Sequence, residues 1–150
     1  MDNKNSLLKS ISKLFWIFSA LGFINLNAQN IPSPESVFGH EVGATYNLIN
    51  YEESIRYFQK LAAISDRMEL MHVGHTSEER PWHISVISTP ENLKNLKTIR
   101  ENTMRIAHPA GLSEEDMRML IKDQPVIVDI NGGLHAAEIA GSQHTNQFAY

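Results

Sequence analysis

The chain has 150 residues, 42% hydrophobic and 20% charged, the balance of a globular protein long enough for one core. A formal charge of -4 at pH 7 and the absence of any basic cluster give no footprint for nucleic acid. There is no cysteine, which excludes disulfides, thiolate metal ligands, a cysteine nucleophile and a lipidated N-terminal cysteine, so the core alone must hold the fold.

Residues 1–28 read as a secretory signal peptide. Lys4, Lys9 and Lys13 form a positive leader, Leu14 to Leu26 an apolar run, and Ala28 a small residue before Gln29. The run is short for a transmembrane helix, and an uncleaved anchor is the alternative. Cleavage would leave 10 Lys+Arg against 16 Asp+Glu, a formal charge of -6 and no stable membrane span. The expected location is secreted or periplasmic.

From Gln29 to Asn50, Pro32, Pro34, Gly39 and Gly43 predict an irregular segment. A helix is expected from Tyr51, with Asn50 as cap and Glu53 completing a capping box. Its apolar stripe is Tyr51, Ile55, Phe58 and Ala62, with Leu61 alongside, while Arg56 and Lys60 face solvent. Met68 to Gly74 and Trp82 to Ser88 alternate around the polar turn Thr76-Ser77-Glu78-Glu79, which predicts an antiparallel pair. Apolar residues on both faces predict that the pair is largely buried.

Thr89-Pro90-Glu91 is a helix start, and Leu93, Leu96, Ile99, Thr103 and Ile106 give it one face up to Pro109 and Gly111. Ser113 with Asp116 opens a further helix, with Met117, Leu120 and Ile121 on its apolar side and Asp123-Gln124-Pro125 as its stop. Val126 to Ile130 is short and β-branched and predicts a buried strand. Asn131-Gly132-Gly133 turns the chain, and residues from Glu138 onward are again helical in character.

A strand, a glycine-rich turn, His135-x-x-Glu138 and a helix stand in the order that places ligands beyond the carboxyl end of a strand. Three residues on a forming helical turn bring both side chains to one side. An imidazole nitrogen and a carboxylate oxygen suit Zn2+, and Gly132 and Gly133 leave room for close approach. The bland reading is a helix-start histidine beside a solvated acid. No third ligand stands out. His144 lies about 240° around the helix from Glu138. His72 and His75 are expected on opposite strand faces, His83 is on the partner strand, and His40 and His108 adjoin turns.

Val126-Ile127-Val128-Asp129 leading to Gly133-Leu134-His135-Ala136-Ala137-Glu138 resembles the first metal-binding motif of the zinc carboxypeptidases, the M14 metallopeptidase family. Tyr57-Phe58 with Leu61, Ser65-Asp66-Arg67, Gly74 to Pro81 and Val86-Ile87-Ser88 are similar to the start of its catalytic domain. Thr89-Pro90-Glu91-Asn92-Leu93 is similar to an insertion of a large secreted bacterial subgroup. The resemblance implies an α/β fold with a mixed β-sheet flanked by helices, C-terminally incomplete, with residues 29–150 as the N-terminal portion of the catalytic domain. It implies His135 and Glu138 as zinc ligands, a later histidine and a later glutamate base beyond Tyr150, and hydrolysis of C-terminal peptide bonds. The 150 residues alone are then expected to be inactive. Two features depart from the family pattern: Ala136 and Ala137 fill places where digestive enzymes often carry an arginine, and Glu79 replaces a common glycine. The alternatives are an amidase or deacylase of the same superfamily, and a secreted binding protein that keeps the fold without the chemistry.

Overall fold

The computed structural model describes residues 30–150. The proposed signal segment and its expected cleavage point before Gln29 therefore lie outside the described residues.

The first element is a short helix, α1 (Pro34–Phe38), where the sequence predicts irregular chain. Its start is chemically ordinary. The Ser33 hydroxyl accepts from the Ser36 N–H, Pro34 occupies the first turn, and Gly39 closes the helix at φ 77. This is the same serine/threonine-proline-glutamate signal that starts the later helix at Thr89. Pro34 opens the helix because its missing N–H falls among donors that have no intrahelical partner anyway.

Helix α2 (Tyr51–Ile64) begins as expected, with both halves of the Asn50–Glu53 capping box formed. Its buried face is rotated from the expected stripe. Tyr57 and Leu61 are fully buried, whereas Tyr51 is exposed. With Met68 they form the core, packed by Ile31, Val37, Phe38, Phe58, Ala62 and Ala149. The face is set by what covers it. The Phe38 ring lies 5.3 Å from that of Tyr57, and the Tyr57 hydroxyl donates to the Pro32 carbonyl at 2.9 Å. Burial pushes the Tyr57 pKa up to about 12.

Strands β1 (Met68–His75) and β2 (Pro81–Ile87) pair antiparallel, as the alternation predicts. They form a two-stranded sheet on their own, the sheet present among the described residues. The expected mixed sheet is thus replaced here by a small antiparallel one, and the expected burial of the hairpin is corrected as well. Met71, Val73, Trp82, Ile84 and Ile87 are exposed, because only one end of β1 meets the core, through Met68. The turn holds Glu79 at φ 58, the left-handed conformation that suits glycine. Thr76 organises it. Its hydroxyl accepts from the N–H groups of Glu78 and Arg80, at 3.3 and 3.2 Å.

The helix expected after Thr89 is two helices, α3 (Pro90–Lys94) and α4 (Leu96–Ala107), broken at Asn95, whose N–H closes a tighter turn onto the Asn92 carbonyl. The predicted face is otherwise present, with Leu93, Leu96, Ile99, Thr103 and Ile106 half-buried. Helix α5 (Glu114–Asp123) starts with the Ser113–Asp116 capping box. Those hydrogen bonds hold the Asp116 carboxyl below its ordinary pKa. Gln124 ties the end of α5 to α4, donating to the Ile99 carbonyl at 2.9 Å and to the Thr103 hydroxyl at 2.8 Å.

Val126 to Ile130 is not a buried strand. It has no sheet partner among the described residues, and Val126 is 90% and Val128 72% exposed. A strand needs a neighbour for its backbone groups, and β1 and β2 pair only with each other. The β-branched composition reports a preference for burial without supplying what buries it. The last helix, α6 (Ile139–Ala149), packs against α2 through buried amides. Gln143 accepts from the Ile49 N–H at 3.1 Å and donates to the Ile49 carbonyl at 2.8 Å. Asn146 accepts from the Ser54 hydroxyl at 2.7 Å. No helix among the described residues is long and apolar enough to cross a membrane.

Candidate metal half-site

His135 and Glu138 come together. His135 Nδ1 lies 2.9 Å from Glu138 Oε2. The cause is a hydrogen-bonded turn just ahead of α6, in which the Glu138 N–H donates to the His135 carbonyl at 3.0 Å. The expected helical turn is therefore a β-turn-like one, which still brings positions i and i+3 together. Glu138 occupies the N-cap position of α6, yet its carboxylate makes no capping bond to the helix. It is turned toward His135 instead. Both side chains are open to solvent, at 74% and 64% exposure.

The glycines shape the approach to this pair. A side chain on Gly132 would overlap the Gly141 carbonyl and the Thr145 methyl of α6. On Gly133, which sits at φ 76, it would come within 2.8 Å of the Ser142 Cβ. The turn thus lies directly on the first turns of α6, and a Cβ at either position would push it off. Glycine serves close approach here, as the sequence implies, but the approaching group is the protein's own helix.

The donor set suits a borderline cation. Two ligands on a tetrahedral zinc, each at about 2.0–2.1 Å, stand about 3.3 Å apart, close to the separation already present between the two side chains. They would make two of the four positions. Among the described residues no group of three or more His, Cys, Asp or Glu side chains is placed to hold a metal. His144 does not join the pair; its Cε1 would lie 3.1 Å from a Cβ on Gly132. His40 points its Nδ1 at the Glu41 carbonyl, and His108 caps the end of α4.

His72 and His75 depart from expectation. The register shifts between His72 and Gly74, and this bulge brings the His75 ring to 4.9 Å from that of His72. His83 sits opposite His72 across the sheet, with ring centroids 5.4 Å apart. The alternation rule holds only for an unbroken strand, and Gly74 was the signal of a break that strand periodicity passes over.

Helices around a small antiparallel hairpin, with an imidazole and a carboxylate joined at a helix start, are consistent with an α/β fragment that carries two donors suited to a metal. A family profile for zinc carboxypeptidases, the M14 peptidases, matches residues 54–150, about two thirds of the chain, and the chain belongs to that family. No curated protein and no solved structure matches it. Zinc and peptide hydrolysis are the chemistry of the family, and the carboxypeptidase-type fold rests on this membership.

Proposed function

We propose that this chain contributes His135 and Glu138 as two zinc ligands to an exported metallocarboxypeptidase that removes C-terminal residues from peptides. The observation that carries the reading is the Glu138 carboxylate, which leaves the helix it could cap and meets the His135 ring at 2.9 Å. Family membership supports the metal and the reaction class. Zinc, when bound, supplies Lewis acidity toward the scissile carbonyl and the attacking water.

The chain's own part is positional. The turn fixes the separation of the two donors, and the carboxylate brings a negative charge that offsets part of the cation's. Gly132 and Gly133 keep side chains out of the turn, so that it can seat on α6. Ala136 and Ala137 place no charge between the ligands, so polarisation of the carbonyl by an arginine at that position is not part of this design. The third ligand and the general base are supplied by residues other than this pair. Residues 1–28 serve as the export signal, in keeping with a secreted bacterial branch of the family.

Glu138→Gln tests the reading. It keeps the shape of the side chain and replaces a carboxylate with a neutral amide, a far poorer ligand. In a protein that also supplies the third ligand, zinc per protein after dialysis should fall steeply while the far-UV circular dichroism stays the same. For a solvated surface acid, stability would shift by about 0.5 kcal/mol or less and zinc would be untouched. Equal zinc in the two proteins sinks the assignment.

A further inference from the structure

The hairpin gathers three of the chain's seven histidines, none of them in the His135–Glu138 turn. Two features of the fold bring them together. The register sets His72 opposite His83, and the bulge after His72 swings His75 back beside it. His72 is the shared ring, 4.9 Å from one neighbour and 5.4 Å from the other, centroid to centroid.

Those spacings occur in ordinary ring packing and are also compatible with two rings sharing a metal. A metal–imidazole bond of about 2.0–2.1 Å places the ring centroid about 3.2 Å from the metal. Two such rings at angles of about 90–110° have centroids about 4.5–5.2 Å apart. The His72–His75 separation falls within that range, and His72–His83 is reached by opening the angle slightly. A second observation points the same way. His83 Nδ1 is buried and has no hydrogen-bond partner among the described residues. A buried polar atom without a partner is uncommon, and a bound ion is one of the few ways to satisfy it. Neutral imidazole offers a lone pair to a cation and suits copper, nickel and zinc.

We propose that His72, His75 and His83 form an imidazole site for a borderline divalent cation, Cu2+ foremost, built from different residues than the His135–Glu138 pair. The three rings are not a ready cage. The site takes two imidazoles at a time, His72 with either neighbour, and solvent fills the other positions. Copper leads because nitrogen sites follow the order in which Cu2+ binds more tightly than Ni2+ or Zn2+.

The test uses the whole chain, without a polyhistidine tag, carrying His135→Ala and Glu138→Gln, so that failure of the zinc reading leaves it unaffected. Cu2+ is titrated and followed by electron paramagnetic resonance. The expected result is a bound ion with hyperfine structure from two nitrogens. His72→Gln should weaken binding at least about tenfold, because it breaks both pairs. His75→Gln and His83→Gln should each weaken it less, because one pair survives. A measurement on the same parent chain does not depend on how these variants fold. Substoichiometric Cu2+ should broaden the ring-proton resonances of His72, His75 and His83 before those of His40, His108 and His144. Absence of bound copper, unchanged affinity in folded His72→Gln, or uniform broadening of all the histidines would overturn the proposal.

Discussion

The corner where α1, α2 and β1 meet and the stretch from Val126 to Glu138 are both rich in apolar residues, and they end in opposite states. In the corner, Tyr57, Leu61 and Met68 are buried under partners drawn from the leading segment and from α6. In the stretch, Val126, Ile127, Val128 and Leu134 stand open to solvent. The difference lies in the neighbours. Each core residue of the corner has a covering element within the described chain, whereas the Val126–Ile130 run has no strand beside it among the described residues. Hydrophobic composition measures how much a segment gains from burial; the rest of the fold decides whether it gets it.

The sharpest way to break this comparison is to truncate one residue on each side. Leu61→Ala should destabilise the protein by about 2–5 kcal/mol, read as a lower urea midpoint with an unchanged slope. An effect below 1 kcal/mol (about the scale of a surface change) would mean that the corner is not a tightly packed core. Gln143→Leu comes next, because it removes both partners of the Ile49 backbone and leaves a buried N–H and C=O unpaired. A loss of about 2 kcal/mol is expected, with faster amide exchange at Ile49. This variant sharpens the comparison by loosening the helix that follows the exposed stretch from the α2 side.

Glu79→Gly acts on the hairpin turn and should raise stability by about 0.5–1 kcal/mol, since glycine relieves the left-handed strain at φ 58 and gives back part of that gain in chain entropy. A drop in thermal midpoint would show that the glutamate side chain has a compensating role. The smallest effect belongs to Val128→Ala. At 72% exposure the change should stay within about 0.5 kcal/mol. A cost matching that of Leu61→Ala would mean that Val128 is buried in solution, and the contrast between the two regions would collapse.

What the sequence made legible follows the same division. Helix starts at Asn50, Thr89 and Ser113 are set by side chains reaching three residues along, so each is written within one short stretch, and each formed. The same grammar at Ser33-Pro34 is masked in the sequence by two nearby prolines, which point to a breaker. The hairpin and its turn were equally local. Tyr57 was not legible as the centre of the core. Its burial depends on Phe38, Pro32 and Ala149, which come from separate parts of the chain. The same holds for Val126–Ile130. In the candidate site, the proximity of His135 and Glu138 could be read from their spacing alone. The approach of His75 to His72 could not, because one bulge residue reverses the face on which every later side chain stands.

The Gln143–Ile49 amide pair makes α6 a lever with a fixed pivot. Glu138 lies five residues from that pivot, about 7.5 Å along the axis at 1.5 Å per residue. A tilt of only about 10° about Gln143 would carry Glu138 sideways by about 1.3 Å, beyond the roughly 1 Å misplacement that can cost a hundredfold in rate. Angular stiffness at a buried glutamine would then govern the aim of an exposed carboxylate. Substitutions far from any ligand, at Ile49 or along the seam between α2 and α6, would detune the site without touching it.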